Sequence, residues 1–113
     1  MNLKGVRVAS DMQKEISDLL LREAKDEDFK TVTITHVKVT NDLSFAKIYF
    51  TALDDKNRDK ILKDLNNATG YFRKELASRM NLRHTPELRF IYDESIEYAK
   101  KIESIIQEIN EEE

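Results

Sequence analysis

The chain has 113 residues, of which 40% are hydrophobic, and a formal net charge of −3. This length and composition predict one ordered domain, residues 1–113, with a modest core. The absence of cysteine excludes disulfides, thiolate metal sites and cysteine nucleophiles. No apolar run approaches the roughly 20 residues of a membrane span, and no signal-peptide core is present, so a cytoplasmic protein is expected.

The predicted elements begin with a helix, because apolar residues recur at three- and four-residue steps across residues 5–24. Residues 31–40 are rich in β-branched side chains and alternate like a strand. Their apolar phase shifts between Ile34 and Val37, which predicts a β-bulge near His36.

A second strand is predicted over residues 44–52, after a tight turn at residues 41–42. Its alternation is expected to turn three side chains toward the helices: Ala46, Ile48 and Phe50. Phe45 and Tyr49 are expected on the opposite face, beside Lys47.

The second half of the chain predicts two consecutive helices, a strand and a last helix. One apolar stripe continues from Ile61 to Leu76 through Gly70, which predicts a bend between two helices that pack on the same sheet. Pro86 ends the helical run, residues 87–92 predict a third strand, and residues 93–110 predict a helix with an isoleucine stripe. The element order predicts an α+β fold, a three-stranded sheet with helices packed on one face.

No residue pattern indicates catalysis, so the chain is not expected to be an enzyme. His36 and His84 have no neighbouring nucleophile, and the acidic run at residues 26–28 lacks the spacing of a calcium loop. Asp93 and Glu94 are better explained as caps for the free N–H groups of the last helix. No cofactor and no metal are expected.

Positive charge is concentrated in the centre of the chain. Residues 56–89 carry nine Lys and Arg against four Asp and Glu, whereas residues 90–113 carry two against eight. Local potential governs the binding of a polyanion, so this segment can present a basic face on an acidic protein. Ordinary solvated helix faces explain the same composition, and both interpretations stay open at this point.

RNA binding fits this basic segment best, because each phosphate contact releases counterions. The backbone at Gly70 lets a phosphate approach closely, although tight helix packing would also explain this glycine. The predicted RNA-facing residues are Arg7, Lys63, Asn67, Ala68, Thr69, Gly70, Arg73, Lys74, Arg79, Arg83 and His84. Charge reversal at Arg73 and Arg79 is expected to spare the fold and abolish binding, and Gly70→Val is expected to disturb the bend.

The chain resembles the bacterial ribosome-binding factor A family over nearly its whole length. The resemblance is strongest in residues 40–49 (TNDLSFAKIY), 68–76 (ATGYFRKEL) and 92–98 (YDESIEY). It implies a type-II KH-like fold in which a kinked helix pair, with Ala-x-Gly at residues 68–70, replaces the Gly-x-x-Gly loop. It also implies a non-catalytic factor that binds the free 30S subunit, assists late maturation of 16S rRNA including its 5′ end, and supports growth in the cold.

The partners that the resemblance implies are the small ribosomal subunit and 16S rRNA, bound by a monomer. Ribosomal proteins or an assembly GTPase are further candidates. The loop after the first helix reads Asp26-Glu27-Asp28-Phe29 where the family usually has Asp-Pro-Arg-Val, so no RNA contact is expected from it. Two alternatives stay open: a general single-stranded RNA-binding module, and a protein adaptor that docks through its acidic last helix.

Overall fold

A three-stranded sheet and four helices make up the computed structural model, which describes residues 3–22, 27–53 and 55–111. The elements are α1 (Leu3–Arg22), β1 (Val32–Val39), β2 (Phe45–Ala52), α2 (Arg58–Asn67), α3 (Thr69–Met80), β3 (Glu87–Tyr92) and α4 (Ser95–Glu111). The predicted α+β class and the predicted element order are confirmed. The predicted end of the first helix at residue 24 lies outside the described residues. Of the short acidic end that the sequence predicts to be frayed, residues 111–113, Glu111 is the last residue of α4 and the other two lie outside the described residues.

The strands are arranged in the order β1-β2-β3, with β1 antiparallel and β3 parallel to the central strand β2. The register between β1 and β2 shifts between Ile34 and His36, leaving Thr35 as the extra residue of a β-bulge. Because of this bulge, Ile34 and Val37 both lie buried on the helix side of the sheet. The predicted bulge is confirmed.

The core lies between the sheet and the layer formed by α1, α2 and α3. The side chains that are almost wholly removed from solvent are Met12, Ile16, Leu19, Leu20, Ala46, Ile48, Phe50, Ile61, Leu65, Phe72, Leu76, Pro86 and Phe90. The ring of Phe90 lies 5.3 Å from that of Phe72 and 6.4 Å from that of Phe50, measured between centroids. These contacts join α3 to β2 and β3, and they confirm the predicted inward face of β2.

The free edge of β3 is occupied by the side chain of Asn66, from the last turn of α2. Its amide Nδ2 donates to the carbonyl oxygen of Phe90 at 3.1 Å, and its Oδ1 accepts from the Phe90 N–H at 2.9 Å. A sheet edge otherwise leaves such groups without a strand partner. Asn66 therefore takes the place of a fourth strand and fixes α2 against the sheet.

The last helix, α4, does not join the layer formed by the other three. It buries no side chain, and Ile102, Ile105, Ile106 and Ile109 are between 38% and 56% exposed. The radius of gyration is 16.6 Å, against about 13 Å for a compact domain of this length. The isoleucine spacing therefore predicts the helix correctly, and the apolar side of α4 lies outside the core formed by the sheet and the other three helices.

Only the first turn of α4 is tied to the rest of the described molecule. The Asp93 carboxylate accepts hydrogen bonds from the Ser95 N–H (2.9 Å), the Ser95 hydroxyl (2.5 Å) and the Thr35 hydroxyl (2.6 Å). These bonds, the Ser95 hydroxyl first, hold the pKa of Asp93 below its usual value. The anchoring is therefore complete at neutral pH and is lost as the pH falls through that lowered pKa. Arg58 adds an ion pair to Glu97 at 3.6 Å.

Candidate nucleic-acid interface

The predicted bend at residues 68–70 is centred on Ala68. Its backbone angles, φ −95° and ψ 8°, lie outside the helical region and make it the single residue between α2 and α3. The Ala68 N–H still reaches the carbonyl oxygens of Asp64 and Leu65 at 3.1 Å, and its own carbonyl accepts the Phe72 N–H at 3.2 Å. Backbone hydrogen bonding therefore runs through the bend from α2 into α3.

Gly70 lies in the first turn of α3, exposed and without a positive φ. A Cβ atom built on it would meet no heavy atom within 4 Å, apart from its own helix turn. Tight packing between the helices therefore does not require a glycine here, and that explanation is wrong. The expected disturbance of the bend by Gly70→Val stays a prediction. The space beside the Gly70 backbone is open to a ligand.

Replacing Gly70 by alanine is expected to raise the free energy of unfolding by about 0.5–1 kcal/mol, because alanine favours the helix and narrows the unfolded ensemble. Urea denaturation followed by circular dichroism measures this change. The matched control is Ala77→Gly, which makes the reverse change at another exposed position of α3 and should lower stability by a similar amount. A loss of stability in Gly70→Ala would show that the fold needs this glycine.

Four of the predicted RNA-facing residues form one line along the helix pair. Lys63, Asn67, Gly70 and Lys74 are all exposed, at successive steps of four, three and four residues that keep them on one side of a helix. We call this line the outer ridge. Neither of its two lysines forms an ion pair with any residue that the structure describes. The outer ridge therefore presents two positive charges on either side of an open glycine.

The loop that follows α3 is held against this helix by Arg73. Its Nε donates to the Pro86 carbonyl oxygen and its Nη2 to the Thr85 carbonyl oxygen, both at 3.1 Å. These two hydrogen bonds hold the loop that contains Arg83 and His84 close to α3, and both of those side chains are exposed. A glutamate cannot donate to those carbonyl groups, so charge reversal at Arg73 is expected to loosen this loop, in contrast to the prediction from the sequence that it spares the fold.

Arg79 faces α1. Its Nη1 donates to Glu15 Oε2 and to Asp18 Oδ2, both at 3.0 Å, and its side chain is only 23% exposed. The two carboxylates balance its charge and join α3 to α1. Charge reversal at Arg79 is therefore expected to lower stability, in contrast to the prediction from the sequence.

The Arg79→Glu variant is expected to lose about 2 kcal/mol of unfolding free energy, because it gathers three carboxylates between two packed helices. The change is read from urea denaturation. Arg83→Glu is the matched control, since Arg83 is exposed and has no partner among the described residues, and it should change stability by less than about 0.5 kcal/mol. Equal losses in both variants would contradict the structural role of Arg79.

Two of the remaining predicted positions differ in their location. Arg7 is exposed in the first half of α1, whereas the contacts of Arg79 lie in the second half, at Glu15 and Asp18. The Thr69 hydroxyl, at the bend itself, donates to the Asn66 carbonyl oxygen at 3.1 Å. The acidic loop also meets the helix pair, since the Lys60 amine bonds Asp28 at 3.1 Å. That bond, followed by one to Asp64, raises the pKa of Lys60. Asp28, which stands where the family usually has arginine, thus contacts α2 through Lys60.

Within the described residues, no cluster of three or more His, Asp and Glu side chains is placed to hold a metal ion. None of the helices described is both long and apolar enough to cross a membrane.

Comparison with known proteins decides the family. The sequence model described as Ribosome-binding factor A matches residues 4–106. The chain belongs to the ribosome-binding factor A family. The ribosome-binding factor A of Staphylococcus epidermidis is 50% identical over 110 residues, which cover 96% of this chain and 95% of that relative. The resemblance found in the sequence is confirmed.

Solved structures of ribosome-binding factor A share the fold. The crystal structure of the Thermus thermophilus protein aligns with a TM-score of 0.69 at 19% identity, covering 78% of this chain and 94% of that chain. A homology model of Thermus thermophilus ribosome-binding factor A, fitted into the cryo-EM map of a 30S complex, aligns with a TM-score of 0.61. It is 20% identical and covers 84% of this chain and 97% of that chain. Likeness at these identities shows the fold.

Proposed function

We propose that this chain is a non-catalytic assembly factor that binds the free small ribosomal subunit through 16S rRNA. Membership of the ribosome-binding factor A family supports this proposal, as does the Thermus thermophilus relative that was fitted into a 30S complex. The observation that carries it is the outer ridge, in which two lysines without an ion-pair partner among the described residues flank an exposed glycine.

The outer ridge suits the sugar-phosphate backbone of RNA. Lys63 and Lys74 are eleven residues apart, about 16 Å along a helix, which is enough to meet more than one phosphate. Between them, the open backbone at Gly70 lets the RNA chain lie close to α3. Arg83 and His84 are exposed in the loop that Arg73 holds against α3, and we propose that they add further rRNA contacts. We propose that the RNA-facing residues predicted from the sequence contact rRNA, except Arg79, which instead joins α3 to α1.

Binding of this kind requires no bond chemistry. A protein that prefers one rRNA conformation stabilises it by its differential affinity, which amounts to about 2.7 kcal/mol at a concentration 100 times the dissociation constant.

We extend the proposal to late maturation of 16S rRNA, including its 5′ end. Growth in the cold belongs to the same proposal, because rearrangement of misfolded RNA over a fixed barrier slows as the temperature falls.

Co-sedimentation with purified small subunits, assembled ribosomes and free 16S rRNA, each at two salt concentrations, tests the proposed function. Salt-sensitive migration with free small subunits, and not with assembled ribosomes, is the expected result. Equal retention by naked RNA would replace the proposal with a general RNA-binding module. Absence of retention on every RNA-containing sample would overturn it.

A further inference from the structure

One side of α4 is apolar along its whole length and has no partner among the described residues. The side chains on this side are Tyr98, Ala99, Ile102, Ile105, Ile106 and Ile109, all exposed, and we call them the α4 stripe. Exposed apolar side chains that are scattered singly are ordinary on a protein surface. A continuous stripe on a projecting helix instead marks an interaction site.

The isolated state of α4 is physically unfavourable. Most helices in proteins owe their stability to the packing of an apolar face, and α4 buries none of its side chains. Its last turn carries no basic residue that would offset the partial negative charge at the helix C-terminus. A partner that covers the stripe and brings positive charge to this end would stabilise α4 in both respects.

Charge decides which partner fits. Glu103 borders the stripe on one side and Lys101 with Glu108 on the other, and the acidic charge is concentrated toward the end of the helix, where three glutamates follow at residues 111–113. Their repulsion disfavours an RNA phosphate backbone. It also disfavours a second copy of this chain, and the α4 stripe offers only about two heptads, fewer than the three or four of a typical coiled coil. A basic protein surface is the complementary partner.

We infer that the α4 stripe docks into an apolar groove on a basic protein of the small ribosomal subunit. Lysines or arginines at the rim of that groove would face Glu103 and Glu108. The inference rests on the proposed function, since it takes the partner from the particle that the chain is proposed to bind. It gives the molecule two separate contacts, one with rRNA through the outer ridge and one with protein through α4.

Site-specific photocrosslinking tests the docking directly. Benzoylphenylalanine replaces Ile106 in the stripe or, as a matched control, Ser104 on the opposite side of α4, and the full chain is irradiated with purified small subunits. Position 106 is expected to crosslink to a basic ribosomal protein, and position 104 much less. Crosslinks from 106 to rRNA or to a second copy, equal crosslinks from both positions, or none would each overturn the inference.

A paired measurement separates this inference from the proposed function. The double variant Ile102→Ser with Ile106→Ser is expected to bind small subunits about tenfold more weakly, whereas Ser104→Ala with Gln107→Ala binds as the wild type. Unchanged binding of the isoleucine variant overturns the docking and leaves the proposed function standing. If wild-type chain does not sediment with subunits, the proposed function fails. In that case, a crosslink from position 106 to a protein extracted from purified small subunits would still support the docking of α4. Absence of that crosslink would overturn the docking as well as the proposed function.

Discussion

Replacing Asn66 by alanine is expected to lower the free energy of unfolding by about 3 kcal/mol and the melting temperature by roughly 10 °C. The substitution removes both hydrogen bonds to Phe90, at 3.1 and 2.9 Å, and leaves the N–H and carbonyl of a buried strand residue without partners. It also frees the edge of β3. Thermal and urea unfolding, followed by circular dichroism, measure both quantities.

The neighbouring Asn67 provides the matched control. It is exposed on the outer ridge, so Asn67→Ala should change stability by less than about 0.5 kcal/mol. The same residue type, one position apart, thus separates a structural side chain from one on the proposed RNA-facing surface. If the two alanine variants lose stability equally, Asn66 does not hold the strand edge.

Charge reversal on the outer ridge, Lys63→Glu with Lys74→Glu, is expected to weaken binding to small subunits about 100-fold or more at moderate salt. Each lost phosphate contact also lowers the salt dependence of the affinity, by about one unit in the logarithmic slope. Both lysines are exposed and form no ion pair within the described part of the chain, so the melting temperature should barely move. Sedimentation titrations at several salt concentrations give the affinity and the slope together.

The control is the double variant Lys38→Glu with Lys47→Glu, which changes the net charge by the same amount as Lys63→Glu with Lys74→Glu. These two lysines are direct cross-strand partners on the exposed face of the sheet, opposite the helices. The variant changes the net charge of the protein by the same amount on the other side of the molecule. A comparable loss in both variants would mean that total charge, not the outer ridge, governs the association.

Local patterns predict most of the architecture correctly because each depends on neighbouring residues. The change of apolar parity between Ile34 and Val37 is enough to predict the bulge, since a strand must keep its apolar residues on the core face. The apolar stripe through Ala68 likewise predicts two helices on one sheet. Spacing patterns of this kind show which side of its own strand or helix each residue lies on.

The errors arise from contacts between distant parts of the chain. Arg79 meets Glu15 and Asp18, which are more than 60 residues away, so its sequence neighbourhood shows only an exposed-looking positive charge. Asn66 differs from Asn67 only because its side chain reaches β3. The spacing of the isoleucines in α4 predicts a helix with an apolar side, but the spacing contains no information about what covers that side.

The parallel pairing of β3 with β2 has a consequence for the order of folding. The β1–β2 hairpin closes through a short loop, and hairpins of this kind form within microseconds. By contrast, β3 reaches β2 only after a crossover that contains both α2 and α3, because parallel strands cannot be joined by a tight turn. Closing such a long loop has a larger entropic cost. We therefore expect β3 to dock last, after the helix pair has formed, so that the sheet is completed and the loop with Arg83 and His84 is fixed in one late step.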